Sequence, residues 1–161
     1  MIIDSDSAEA DAALFVAKLM ITAARTAPKA HGEDSIKTAI VTKEDKIQLG
    51  EKMKEIGQVK NSYTFSRDAK NVLDANAVIL IGAKLGDPDD YMSFRVKLID
   101  LGIAIGSAVK MASDLNVDNR VMWSAGVAAL ELNLLDADEI QGIPISIKGK
   151  NIFFDRPRQQ S

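Results

Sequence analysis

The chain contains no cysteine and a single histidine, His31, and aromatic residues make up only 5% of its 161 positions. Without thiols there is no disulfide, no thiolate nucleophile, no zinc site of cysteine type and no cysteine-held iron–sulfur cluster. With one imidazole, neither a histidine metal cluster nor a Ser, His, Asp set chosen among several histidines can be drawn. No uncharged apolar run approaches ~18 residues, so no membrane span is expected. The opening MIIDSDSAEAD is acidic and lacks the cationic start of a secretory signal, which leaves a cytoplasmic address as the expectation. Charge of neither sign dominates: 20 Lys and Arg face 23 Asp and Glu, for a net charge of -3. Basic residues do not cluster, and nucleic acid and anionic membrane are not expected as partners. No strand is followed by G-x-G-x-x-G and no Walker sequence is present, so dinucleotide and P-loop sites of those types are not supported.

What is there is an ordinary globular composition, 47% hydrophobic and 27% charged, at a length suited to one core. The expectation is a single domain over 1–161, with 1–6 and 157–161 as loose tails. The most informative stretch is KLIDLGIAIGSAVKMASDL, Lys97 to Leu115. It is uncharged from Leu101 to Val109, with Gly102 and Gly106 four apart and Ala104, Ala108 and Ala112 spaced likewise. Residues four apart stack on one helix face. A helix apolar all round is expected to be buried, and two glycines, each roughly 1 kcal/mol worse than alanine in a helix, imply a packing requirement. That requirement can be met inside the monomer, at a dimer crossing or beside a flat ligand.

Around this helix the other elements fall in order. Ser7 is a candidate N-cap for a helix to about Arg25, with Leu14, Phe15, Leu19, Thr22 and Ala23 on one face, expected to face the core. Pro28 stops it, and Thr26 to Ser35 reads as a loop. Thr38 to Thr42 is a β-branched run, the first strand. A helix follows from Lys43 to Gln58, with Ile47, Leu49, Met53 and Ile56 inward. Ser66 to Leu73 reads as a short helix. Ala77 to Ala83, AVILIGA, has the continuous apolar character of a central strand buried on both faces. Leu85 to Asp90 is a turn whose carboxylates, Asp87, Asp89 and Asp90, lack the spacing of a calcium loop. Asp118 or Asn119 is expected to cap a helix over Val121 to Leu132, and Gly142 to Ile147 reads as an alternating strand. Ile152 to Phe154 is expected to pair back as a hairpin or cross to a partner chain. Helices alternating with a few short strands give an α+β class with one small sheet.

Candidate chemistry is sparse. His31, beside Gly32, reads as an exposed loop residue. Arg25, Lys29 and Lys37 bracket the loop and could hold a phosphate together with backbone N–H groups, although exposed, solvated charges are the commoner reading of such residues. Asp155 and Arg156 are equally open, and Arg67 and Asp68 are expected to form a surface ion pair.

Several stretches taken together, AARTAPKAHGEDSIKTAIVT, RDAKNVLDANAVILIGAK, KLIDLGIAIGSAVKMASDLNVDNRVMWSAGVAALELNLLDAD and GIPISIKGKNIFFDR, resemble the ferredoxin-domain-containing proteins of bacteria and archaea. That family in turn resembles compact FMN-dependent nitroreductases, through a helix ending in A-R-x-A-P, a strand of I-V-T type, a buried Gly and Ala-rich helix and a Gly-containing turn before the last strand. The resemblance implies a nitroreductase-like α+β fold with a small mixed sheet, a homodimer joined through the central helix, FMN at its interface and oxidoreductase activity on an unidentified acceptor. It places Arg25, Thr26, Pro28 and Lys29 near a flavin phosphate or ring, with Arg156 as a second phosphate candidate. Where family members carry a cysteine-rich insertion this chain has LGDPDDYMSF, so no iron–sulfur cluster is expected on the usual ligands. The alternative is a cofactor-free dimeric binding or scaffold protein that lost the cluster segment.

Overall fold

A computed structural model describes residues 1–154. Its centre is the strand read from AVILIGA. β2 (Ala77–Ala83) has the bounds expected and every residue of it is buried. β1 (Ile36–Val41) pairs with it on one side and β4 (Glu139–Ser146) on the other, and the two-residue β3 (Asp118–Asn119) closes the far edge of β4. The sheet order is β1-β2-β4-β3 and every pairing is antiparallel, so the expected mixed sheet is corrected. In β2 alternate side chains enter two different cores. Ile79 and Ile81 join α1 (Ser5–Thr26) and α4 (Tyr91–Asp114) on one face. Val78 and Leu80 join α2 (Lys43–Val59), α3 (Tyr63–Asp74) and α5 (Trp123–Glu131) on the other. This is a helix–sheet–helix sandwich, and the period-two alternation of the strand builds it.

The helices lie near their expected positions, but several details differ for physical reasons. Asp4, not Ser7, caps α1, its carboxylate accepting from Ser7 N at 2.8 Å. The side of α1 that enters the core is Ala13, Val16, Ala17, Met20 and Ala24, whereas Leu14 and Phe15 of the expected inward face are exposed, Phe15 at 62%. The outer side carries Leu14 and Phe15 among the exposed Asp11, Lys18 and Arg25. The alanine side goes inward because small side chains let α1 lie close against α4, where Ser107 Oγ donates to Ala23 O at 2.9 Å.

The same division runs along α4. Ala104, Ala108 and Ala112 are fully buried, while Gly102 and Gly106 face outward with nothing within 4 Å of where a Cβ would lie. The central helix is therefore buried on its alanine side alone, and packing inside the monomer is excluded as the reason for the glycines.

On the other face Leu49, Met53 and Ile56 of α2 are buried as expected, and Ile47 is exposed. Arg67 and Asp68 do not form a surface pair. Asp68 is 3% exposed, receives Ser124 Oγ at 2.6 Å and Arg67 Nε at 2.8 Å, and ties α3 to α5. Lys46 Nζ donates to Leu73 O and Ala75 O, closing the end of α3. Burial, then the like charge of Lys148, pushes its ammonium below the ordinary lysine value, against the pull of Asp74.

Two expectations near the end of the chain are corrected. Asp118 and Asn119 do not cap a helix. They pair with Ser146 and Ile145 as β3, and α5 starts after Met122, which has no capping side chain. Ile152 to Phe154 form a turn, not a strand: Phe153 N and Phe154 N both donate to Asn151 Oδ1, and Phe153 is buried in the core. No helix among the described residues is long and apolar enough to cross a membrane.

Candidate functional site

The site is built where α1 ends. Pro28 cannot continue the helix, so the last carbonyls need other donors. Lys29 supplies them, Nζ donating to Arg25 O at 2.6 Å and Ala27 O at 3.0 Å. Thr26 Oγ1 donates back to Thr22 O at 3.0 Å. Arg25 pairs with the Asp34 carboxylate and donates to the Ile36 carbonyl, while Asp34 Oδ1 also accepts from Ile36 N at 3.2 Å. These bonds staple the entrance of the loop to the start of β1. Four of the expected site residues, Arg25, Thr26, Pro28 and Lys29, are thus gathered at one helix end, with most of their polar capacity spent on the backbone. Arg25 keeps its Nε–H and one Nη2–H, and Lys29 one of its three N–H donors. The fifth, Arg156, lies outside the described residues, as does Asp155.

Between the staples the chain reverses in a short 3-10 turn, Ala30–Gly32, with His31 at φ 55 and Gly32 at φ 69. Left-handed backbone at two successive residues is strained for His31 and natural for glycine. What holds the turn comes from 70 positions away: Ala30 N donates to both oxygens of Asp100, at 3.1 and 3.2 Å. Asp100 is 4% exposed and sits on α4, whose first turn is capped by Asp90 through Ser93 N at 3.2 Å.

Two adjoining cavities open at this junction. One, about 300 Å³, is lined by His31, Glu33, Asp90, Ser93, Lys97 and Asp100 among others. The second, about 370 Å³ and shallower, is lined by Pro28, Lys29, Val96, Ile99, Asp100 and Ile103, with Ala30 shared by both. The first is polar and the second an apolar shelf, and Asp100 belongs to both. Lys97 Nζ leans over Gly86, where a Cβ would come within 3.1 Å of it. Neither Lys97 nor the His31 ring makes a hydrogen bond or ion pair among the described residues. No group of three or more His, Cys, Asp or Glu among those residues is placed to hold a metal ion.

Asp100, Lys97 and Asp90 are the site residues that sequence reasoning missed. An aspartate directly before the uncharged stretch Leu101 to Val109 of α4 was the available signal, but its partner lies in a loop that nothing local connects to it.

Comparison with known proteins agrees with this architecture. Residues 93–156 match the family described as "Uncharacterized protein containing a ferredoxin domain (DUF2148)". An uncharacterized protein of Archaeoglobus fulgidus is 37% identical over 166 aligned positions, which cover 87% of this chain and 89% of the relative. Among solved structures, a nitroreductase family protein from Clostridium novyi NT superposes with a TM-score of 0.57 at 20% identity, over 94% of this chain and 80% of that one. The NADPH:FMN oxidoreductase from Vibrio harveyi, solved with NAD+, superposes with a TM-score of 0.59 at 14% identity; it covers 94% of this chain, which spans 63% of its length. The sandwich with its outward-facing glycine helix is thus a nitroreductase fold, and the chain belongs to the uncharacterized proteins containing a ferredoxin domain.

Proposed function

We infer that this chain is a flavin-dependent oxidoreductase that works as a homodimer, with FMN seated on the apolar shelf beside the 28–32 loop. The observation that carries the reading is continuity. Ile99 and Ile103, which line the shelf, belong to the same outward side of α4 as Gly102, and Ile99 is 59% exposed. Apolar surface gathered in one strip marks a contact surface, and glycines without neighbours let another backbone approach closely. A second copy docked on this strip would close over the shelf, so subunit contact and ligand site would form together. The neighbouring folds include one named as an NADPH:FMN oxidoreductase, which supplies the cofactor class.

The residues present fit a flat, partly apolar ring. Pro28, Val96, Ile99 and Ile103 offer it a face, and both cavities reach the lower end of the volumes that small-molecule sites occupy. Lys29, which lines the shelf on its loop side and keeps one N–H donor free of the backbone, would offer a phosphate positive charge there, with Arg25 behind it on Asp34. When bound, the flavin supplies the hydride chemistry, and the protein supplies binding, orientation and charge. The chain's own contribution is to hold the loop by Asp100 and to exclude water from the shelf. A chain with no cysteine offers no thiolate to a cluster, so the ferredoxin domain of the family's description would not act here through a cysteine-held centre.

The test is a titration of FMN into the full-length protein, following quenching of flavin fluorescence. Trp123, the other chromophore, packs against Phe65 on the opposite face of the sheet and is a poorer reporter. Saturable binding at roughly micromolar concentration or below is the expected result. A protein that stays colourless and leaves flavin emission unchanged would instead be a cofactor-free dimeric scaffold.

A further inference from the structure

Asp100 is over-buried for what it does. A carboxylate offers about four acceptor positions, and with both oxygens on one N–H, that of Ala30, Asp100 leaves most of them unused while 4% exposed. A buried charge with so few partners is costly. Its position on the wall of both cavities shows where a further donor would come from. Beside it in the polar cavity are two groups that can donate and have no partner among the described residues, the Lys97 ammonium and the His31 ring.

The cavity therefore presents a charged acceptor together with two unused donors. With Glu33, Asp90 and Asp100 set against Lys97, it is net negative and unsuited to a phosphate or other dianion. The ligand edge that complements it is neutral and reads acceptor, donor, acceptor. Cyclic imides carry that edge as C=O, N–H, C=O.

We propose that Asp100 is a ligand-anchoring carboxylate, accepting the imide N–H of a pyrimidinedione-type ring whose carbonyls are met by Lys97 and His31. On the flavin reading above, on which the identity of the full ligand rests, that ring is the pyrimidine end of the isoalloxazine. The polar cavity then takes this end, the apolar shelf takes the remainder of the ring system, and the phosphate stays outside.

The experiment compares uncharged ring ligands that differ by one methyl group, titrated by calorimetry into the full-length protein: lumiflavin against 3-methyllumiflavin, and lumazine against its 3-methyl derivative, with FMN in parallel. Losing a hydrogen bond to a charged group is expected to weaken binding about tenfold or more. Asp100→Asn, which removes the charge and replaces one of the two acceptor oxygens by a donor, should weaken the unmethylated ligands and narrow the gap. The methyl comparison on the unaltered chain carries the test if that variant misfolds. Equal binding of methylated and unmethylated flavins would overturn the proposal and leave the flavin reading standing. Lumazine bound with methyl discrimination, but FMN not bound, would uphold the imide site and remove the flavin. Binding of none of these ligands would overturn both.

Discussion

Against one face of the sheet, α2, α3 and α5 bury Leu49, Met53, Phe65 and Met122 and turn charged pairs such as Lys52 with Glu131 to water. Against the other, α1 and α4 bury mainly alanine and turn Phe15, Ile99 and Ile103 outward. The first arrangement fills its core with large side chains around an internal Asp68 network, and sets charged pairs beside the exposed Ile47, Val59, Tyr63 and Trp123 on its exterior. In the second, the small residues are inside and the large ones outside, the reverse of what burial by hydrophobic area would choose. One face is filled by large side chains, and the other is filled mainly by alanine and leaves Phe15, Ile99 and Ile103 on its outer surface.

The glycines offer the strongest way to break this comparison. A Cβ at Gly126 in α5 would lie 1.7 Å from the Ile140 carbonyl oxygen of β4, and backbone cannot step aside as a side chain can. Gly126→Ala should cost about 3 kcal/mol or more of unfolding free energy, at or beyond the top of the usual overpacking range. Gly102→Ala and Gly106→Ala meet nothing and should stabilise the isolated chain by about 0.4–1 kcal/mol each. Urea unfolding at low protein concentration measures both. Similar losses at all three positions would show that the α4 glycines are packed after all.

A smaller effect sharpens the comparison from the open side. Ile99→Asp should leave the stability of the chain within about 0.5 kcal/mol while removing self-association, so that light scattering gives a mass near 17.4 kDa in place of its double. An unchanged dimer would move the interface away from α4.

The smallest effect concerns a solvated pair at the end of the two central strands. Lys84 Nζ lies 2.5 Å from Asp136 Oδ1. The hydrogen bond from Lys84 holds the Asp136 carboxyl below its ordinary 3.8, and the same bond from the other side raises the Lys84 ammonium above its ordinary 10.5. The contribution from Asp136 is present above pH 3.8 and fades as pH falls through its lowered value. That from Lys84 is complete below pH 10.5 and is lost as pH rises through its raised value. The stability difference between wild type and Lys84→Met should therefore be small and flat from about pH 5 to about pH 9, and should shrink in acid. A difference that changes near neutrality would mean that another group carries it.

Much of the fold was legible because its signals are local. AVILIGA is β2 residue for residue, Pro28 ends α1, and α4 follows the turn at Asp87 to Asp90 as expected. Of the candidate site, the sequence showed only one loop and the residues that enter it. Arg25, Thr26, Pro28 and Lys29 do meet at one helix end, but their donors are turned to the backbone, because a helix stopped by proline leaves carbonyls that the nearest lysine and threonine satisfy first. Asp100 and Ala30 were invisible as a pair, since a contact across 70 residues leaves no periodicity.

By itself, then, the sequence determined the main helices, that β2 is a central strand buried on both faces, that α4 is uncharged through its middle, and that no thiol chemistry is available. Only the tertiary structure decided which side of α1 and α4 turns inward. Periodicity measures how apolar a face is, but burial is settled by how closely two backbones can approach, and alanine wins that contest over leucine and phenylalanine. The same packing brought α4 against the 28–32 loop and set a buried aspartate between two cavities, which is why the candidate site belongs to the fold and not to any stretch of the chain.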